Sequence, residues 1–143
     1  MITQIDSKSP IVVGIDGSES SMRALRWGLH QAFLDRTTID AVTAWQYPIV
    51  YGWALPPSDD YDHRHIAQKL LADVIGEVAG SDPSVEIHDR VVEGHPIRVL
   101  LDAARDAQLL VLGHGGEPEV SRALGSVSRH CTHSCPCTVV VVR

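Results

Sequence analysis

Lysine is nearly absent from this chain: only Lys8 and Lys69 occur. That scarcity excludes two phosphate chemistries. A Walker loop needs a Gly-Lys-Ser/Thr step, and a response-regulator domain needs a late lysine beside an acidic pair. A G-x-S-x-G nucleophile elbow is also missing, which removes that class of Ser-His-Asp hydrolase. Basic charge is scarce as a whole, with 12 Lys and Arg against 18 Asp and Glu and a net charge of −6. Nucleic acid and anionic membrane both require a basic surface, so neither is expected as a partner. No apolar run reaches membrane-spanning length. None precedes Ile11 either, so no secretory signal is read and a cytoplasmic protein is expected. Cys131, Cys135 and Cys137 are the only cysteines, and they crowd into one short stretch. That suits neither a disulfide framework nor an oxidising compartment. Internal repeats and low-complexity tracts are absent.

What remains is enough for one ordinary domain. At 143 residues and 44% hydrophobic, the chain can bury a proper core without disulfides or metal. Residues 1–9 read as a disordered leader, and residues 10–143 as the folded domain. Ile11 to Ile15 is a continuous apolar run, the mark of a strand buried on both faces. Asp16-Gly17-Ser18 is a turn and helix cap. Met22, Leu25, Leu29, Ala32 and Phe33 then recur at helical spacing. Thr37 to Trp45 reads as a second strand. Residues 46–60, with their prolines and aromatics, read as a loop. A helix is predicted from Tyr61 to Ala79, a third strand from Val85 to Val92, and a helix from Pro96. Leu109 to Leu112 is a fourth strand, a helix follows Gly125, and Thr138 to Val142 is a fifth strand. This alternation predicts a doubly wound α/β fold, with a parallel sheet and helices on both faces.

The segment Leu109 to Ser128 carries the most chemistry. An apolar strand runs into Gly113-His114-Gly115-Gly116, and Gly125-Ser126 opens the next helix. Glycines let a backbone approach a ligand, and a helix start presents free N–H groups to an anion. On a parallel sheet, ligands lie at the carboxyl ends of the strands, where strand order reverses. The Asp16-Gly17-Ser18 turn and the glycine loop would share one crevice if the first and fourth strands were neighbours.

Together, Ile11 to Ser18, Gly94-His95-Pro96, Gly113 to Gly116, Gly125 to His130, and Cys135-Pro136-Cys137 before a valine-rich strand resemble the universal stress protein family. The resemblance covers essentially residues 10–143. It implies a five-stranded parallel sheet in order 3-2-1-4-5, of the adenine nucleotide alpha hydrolase-like kind. It also implies a homodimer paired through strand 138–142, acting on a protein partner that the sequence does not identify. In the nucleotide-binding branch it implies ATP or AMP, with magnesium accompanying the nucleotide; cyclic AMP is also admitted. Asp16 would then lie near ribose and phosphates, with Gly17 and Ser18 beside it, and Ala44 against adenine. Gly113 and Gly116 would shape the phosphate loop. Gly125, Ser126, Val127 and Ser128 would offer backbone N–H groups and hydroxyls. One departure is visible. The binding branch has nine residues before its Gly-Ser pair, whereas eight separate Gly116 from Gly125 here. Nine are counted from Gly115, which puts Leu112 where the first glycine would stand. The spacer also carries Glu117, Pro118 and Glu119, with Arg122 and Arg129 as nearby cations.

Three functions follow in order: an adenine-nucleotide-responsive binding module, a slow ATPase, and a nucleotide-free dimeric scaffold. No catalytic residue is assigned. The segment His130 to Cys137 invites a zinc reading, but its spacing does not match paired C-x-x-C ligands, so no metal is expected. Cys131 and Cys137 read as small core residues, and the histidines as favourable charges near a helix C-terminus. Tyr47, Tyr51 and Trp53 would either lid the crevice or pack on their own domain.

Overall fold

The run Ile11-Val12-Val13-Gly14 has no exposed face, and it forms the central strand β1 (Ile11–Gly14). A computed structural model of the chain describes residues 9–46, 49–50, 53–54, 62–80, 84–115 and 125–143. In chain order there follow α1 (Glu19–Asp35), β2 (Ile39–Trp45), β3 (Ile49–Val50), β4 (Trp53–Ala54) and α2 (His63–Ala79). Then come β5 (Ile87–Glu93), α3 (Pro96–Ala103) with a short 3-10 turn, β6 (Leu109–Gly113), α4 (Ser126–Ser134) and β7 (Thr138–Val142). The five long strands form one parallel sheet in the order β5-β2-β1-β6-β7. This is the order 3-2-1-4-5 among those strands.

Alternation along β1 divides the core. Ile11, Val13 and Ile15 enter one apolar cluster with Leu25 and Ala32 of α1 and Leu71 and Val74 of α2. Val12 enters the opposite cluster with Val99 and Leu100 of α3 and Cys131 of α4. Successive strand side chains point to opposite faces, so a strand between two helical layers must be apolar throughout. That is the physical content of the continuous run.

Some sequence expectations shift at their edges. Ser9, read as leader, is held by the Thr37 hydroxyl and the Gln108 amide, which both donate to its carbonyl at 2.8 Å. The remaining leader lies outside the described residues. Within the expected 46–60 loop, Ile49↔Ala54 and Val50↔Trp53 pair antiparallel. Two-residue strands are too short to carry a periodicity, so composition alone dominated that reading. The side chains of the proposed aromatic lid lie outside the described residues. Among the described residues no helix is long and apolar enough to cross a membrane.

Candidate functional site

Strand order reverses between β1 and β6. The chain leaves β1 toward β2 and β5, then returns to the other side of β1. Register fixes the meeting point, with Ile11 beside both Ile39 and Leu109. The loops after β1 and β6 therefore do line one crevice, a relation that periodicity could not supply. The crevice is a cavity of about 440 Å³, within the span of ~300–1,000 Å³ usual for small-molecule sites.

Its apolar wall comes from Val42, Ala44, Leu100 and Leu112, with Pro96 at the start of α3. Its polar wall comes from Asp16, Ser18, Ser20 and Ser21 on one side and from Gly125 to Ser128 on the other. Of the residues picked out by sequence, Asp16, Ser18, Ala44, Leu112, Gly113, Gly125, Ser126, Val127 and Ser128 converge here. Gly17 does not line the cavity. It has φ +87°, and a Cβ there would meet Leu70 of α2 at 2.9 Å, so it serves the turn. Gly116 and the acidic part of the spacer lie outside the described residues. Sequence reasoning passed over Ser20, Ser21, Pro96 and Leu100. The serine run just inside α1 was the available signal, since hydroxyls at a helix start after a strand end point toward such a crevice.

Two helix starts face the crevice and differ in chemistry. Ser18 caps α1, its Oγ accepting from the Ser21 N–H at 3.2 Å. That same hydroxyl donates to Asp16 Oδ1 at 2.5 Å, and the Ser18 N–H donates to the same oxygen at 2.9 Å. Burial alone would raise the Asp16 pKa, but these bonds from Ser18, with a further one from Ser21, outweigh it. The carboxyl is held below the usual carboxylate range, so Asp16 is an anion at neutral pH. By contrast, α4 begins at Gly125 with no side-chain cap and no acid in its first turn. Its first helical bond runs from Arg129 N–H to Gly125 O at 2.9 Å. The N–H groups of Ser126, Val127 and Ser128 therefore have no intrahelical acceptor. The Ser128 hydroxyl is buried and donates to Gly113 O at 2.7 Å, so its hydrogen is committed to the fold. Ser126 is exposed at the cavity rim.

The glycine loop closes at a neck. The Gly125 N–H donates to His114 O at 3.0 Å. Gly115, with φ +74°, packs against Gly125, where a Cβ would lie 3.2 Å from the Gly115 Cα. The contact across the neck is made from Gly115. Gly113 is forced to be glycine by proximity: a Cβ would sit 2.5 Å from the Ser20 carbonyl carbon. Among the described residues, no group of three His, Cys, Asp or Glu side chains is placed to hold a metal ion.

Comparison with known proteins bears on this geometry. The model of the universal stress protein family matches residues 9–143. The chain is 34% identical over 143 positions to a universal stress protein of Mycolicibacterium smegmatis, covering 92% of this chain and 47% of that one. It spans about half the length of the curated relatives it matches. A universal stress protein from Archaeoglobus fulgidus superposes with a TM-score of 0.72 at 21% identity, covering 94% of this chain and 98% of that one. A universal stress protein crystallised in complex with cAMP superposes with a TM-score of 0.64 at 26% identity, covering 96% and 99%. With its sequence matched from residue 9 to residue 143, the chain belongs to the universal stress protein family.

Proposed function

We propose that this domain is a stress-response module that binds an adenine nucleotide in the crevice between β1 and β6. The observation that carries this reading is the uncapped start of α4, which opens onto a cavity that also has an apolar wall. Phosphate would be held by the N–H groups of Ser126, Val127 and Ser128 and by the Ser126 hydroxyl. Adenine would lie against Ala44 and Val42, and Asp16 would accept from the ribose hydroxyls. The described lining contains one charged group, the Asp16 anion. A bare triphosphate would meet that charge with dipoles alone, so AMP, or ATP with magnesium, fits better than free ATP. The relative in complex with cAMP supports the same ligand class.

The module would act without catalysis, through a homodimer paired along β7 and through a protein partner, in the cytoplasm. β7 ends the sheet and its outer edge has no strand beside it among the described residues, which supports that pairing. A slow ATPase and a nucleotide-free scaffold are the rival readings.

Isothermal titration calorimetry with AMP, cyclic AMP, and ATP with and without magnesium tests the proposal. Binding of at least one of them is expected. Ser126→Asp places a carboxylate at the helix start, where it favours the helix but repels phosphate. It should weaken binding tenfold or more, which is about 1.4 kcal/mol. No heat with any of these ligands would overturn the reading in favour of the scaffold. Single-turnover hydrolysis above the level of a Gly125→Ala, Ser126→Ala control would favour the ATPase.

A further inference from the structure

The three thiols at the end of α4 are not used by the nucleotide site. Cys131, within α4, is fully buried and packs in the apolar cluster. Cys135 and Cys137 lie in the turn between α4 and β7, and both are partly exposed. Their sulfurs stand 3.6 Å apart. Cys135 is fixed because its N–H closes α4 on Cys131 O at 3.0 Å. Cys137 is fixed because its thiol points at Thr138 O, 3.5 Å away, where β7 begins. Pro136 between them locks one backbone torsion and holds the spacing. The turn meets solvent, with Ser134 and Pro136 both exposed beside the two partly exposed thiols.

We propose that Cys135 and Cys137 form a reversible dithiol–disulfide couple within one chain. The oxidant is a hydroperoxide such as hydrogen peroxide. The Cys135 thiolate attacks one peroxide oxygen and the O–O bond breaks, giving a sulfenic acid and hydroxide, which takes up the proton released on forming the thiolate. The Cys137 sulfur then displaces the sulfenic hydroxyl, which leaves as water with the Cys137 proton. Overall, two thiols and one peroxide become one disulfide and two waters. Burial and the contact with Cys135 push the Cys137 thiol up to about 12, so at neutral pH it meets the sulfenic acid as the thiol and gives up its proton as the S–S bond forms. Cys131 is fully buried in the apolar cluster, which keeps it out of the reaction. The sulfurs must close to about 2.05 Å to bond. A ring closed across one residue is strained, and a strained disulfide is readily reduced.

The test is a peptide map of the full-length protein after peroxide, with free thiols alkylated first. Arg129 and Arg143 bracket all three cysteines in one tryptic peptide, 130–143. Fragmentation should show that peptide lacking two hydrogens, linked between Cys135 and Cys137, with Cys131 alkylated. Dithiothreitol should restore three alkylated cysteines. Cys131→Ser should keep the link, and Cys137→Ser should leave a sulfenic acid on Cys135 that dimedone traps. A link through Cys131 or to a second chain would overturn the proposal. So would oxidation straight to sulfinic acid with no link. The map of the unmutated protein decides the question even where a variant fails to fold.

Discussion

Gly113→Ala tests the architecture of the crevice most sharply. The added Cβ would lie 2.5 Å from the carbonyl carbon of Ser20, 2.6 Å from its oxygen and 2.7 Å from its hydroxyl. Carbon atoms rest at about 3.5–4.0 Å, so α1 or β6 must yield by roughly an ångström. No side chain can rotate away, because two of the three atoms are backbone. Ser20 also lies in the first turn of α1, next to the hydrogen-bonded Asp16–Ser18 turn. Overpacking costs about 1–3 kcal/mol, and this case belongs at the upper end. At about 2.1 cal/mol/K per residue, unfolding 143 residues carries an entropy of about 300 cal/mol/K. A loss of ~3 kcal/mol then lowers Tm by about 10 °C. Gly76→Ala is the matched control. Gly76 is an exposed residue inside α2, and a Cβ there meets nothing within 4 Å. That change should gain ~1 kcal/mol by helix propensity and raise Tm by about 3 °C. Scanning calorimetry of both variants reads the difference. If Gly113→Ala melts within about 2 °C of the unmutated protein, the contact between Gly113 and α1 is not as described.

Three further outcomes are expected. Ser128→Ala removes the buried donor to Gly113 O and should cost about 1–3 kcal/mol in urea unfolding; an unchanged midpoint would contradict that bond. His88 donates to Glu86 at 3.0 Å and faces Asp40 at 3.5 Å, and its pKa is raised, chiefly by the bond to Glu86. Its contribution is therefore full below its ordinary value of about 6.5 and fades as pH rises through the raised one. His88→Gln should flatten the stability profile in that window, and a profile identical to the unmutated one would refute the pairing. Asp16 works in the opposite sense: its lowered pKa gives stability present above the usual carboxylate range and lost as pH falls through the lowered value. Asp16→Asn should remove that acid-side slope in equilibrium denaturation, whereas an undiminished slope would assign it to other carboxylates.

Much of the fold was legible because its signals are local. The runs at Ile11 to Gly14 and Leu109 to Leu112 announce strands covered on both faces, and helical spacing announces α1 and α2. The adjacency of β1 and β6 was not legible from pattern, because it joins residues about a hundred positions apart and depends on the whole sheet. The family resemblance supplied that order. The β3–β4 pair escaped because four residues of strand cannot outweigh the prolines and glycine around them. At the site, the sequence identified both loops but not the reason for Gly17, whose positive φ serves the turn against Leu70. Nor could it show that the Ser128 hydroxyl is committed to Gly113 O, which leaves only the Ser128 N–H facing the crevice.

The neck between Gly115 and Gly125 has a consequence for how such a domain diversifies. Because the Gly125 N–H is tied to His114 O, the position of α4 is set at the neck and not by the length of chain strung across it. Lengthening a loop whose ends are already pinned adds only about 0.6 kcal/mol per doubling. The register of the helix start with the sheet is thereby uncoupled from the number of residues between Gly115 and Gly125.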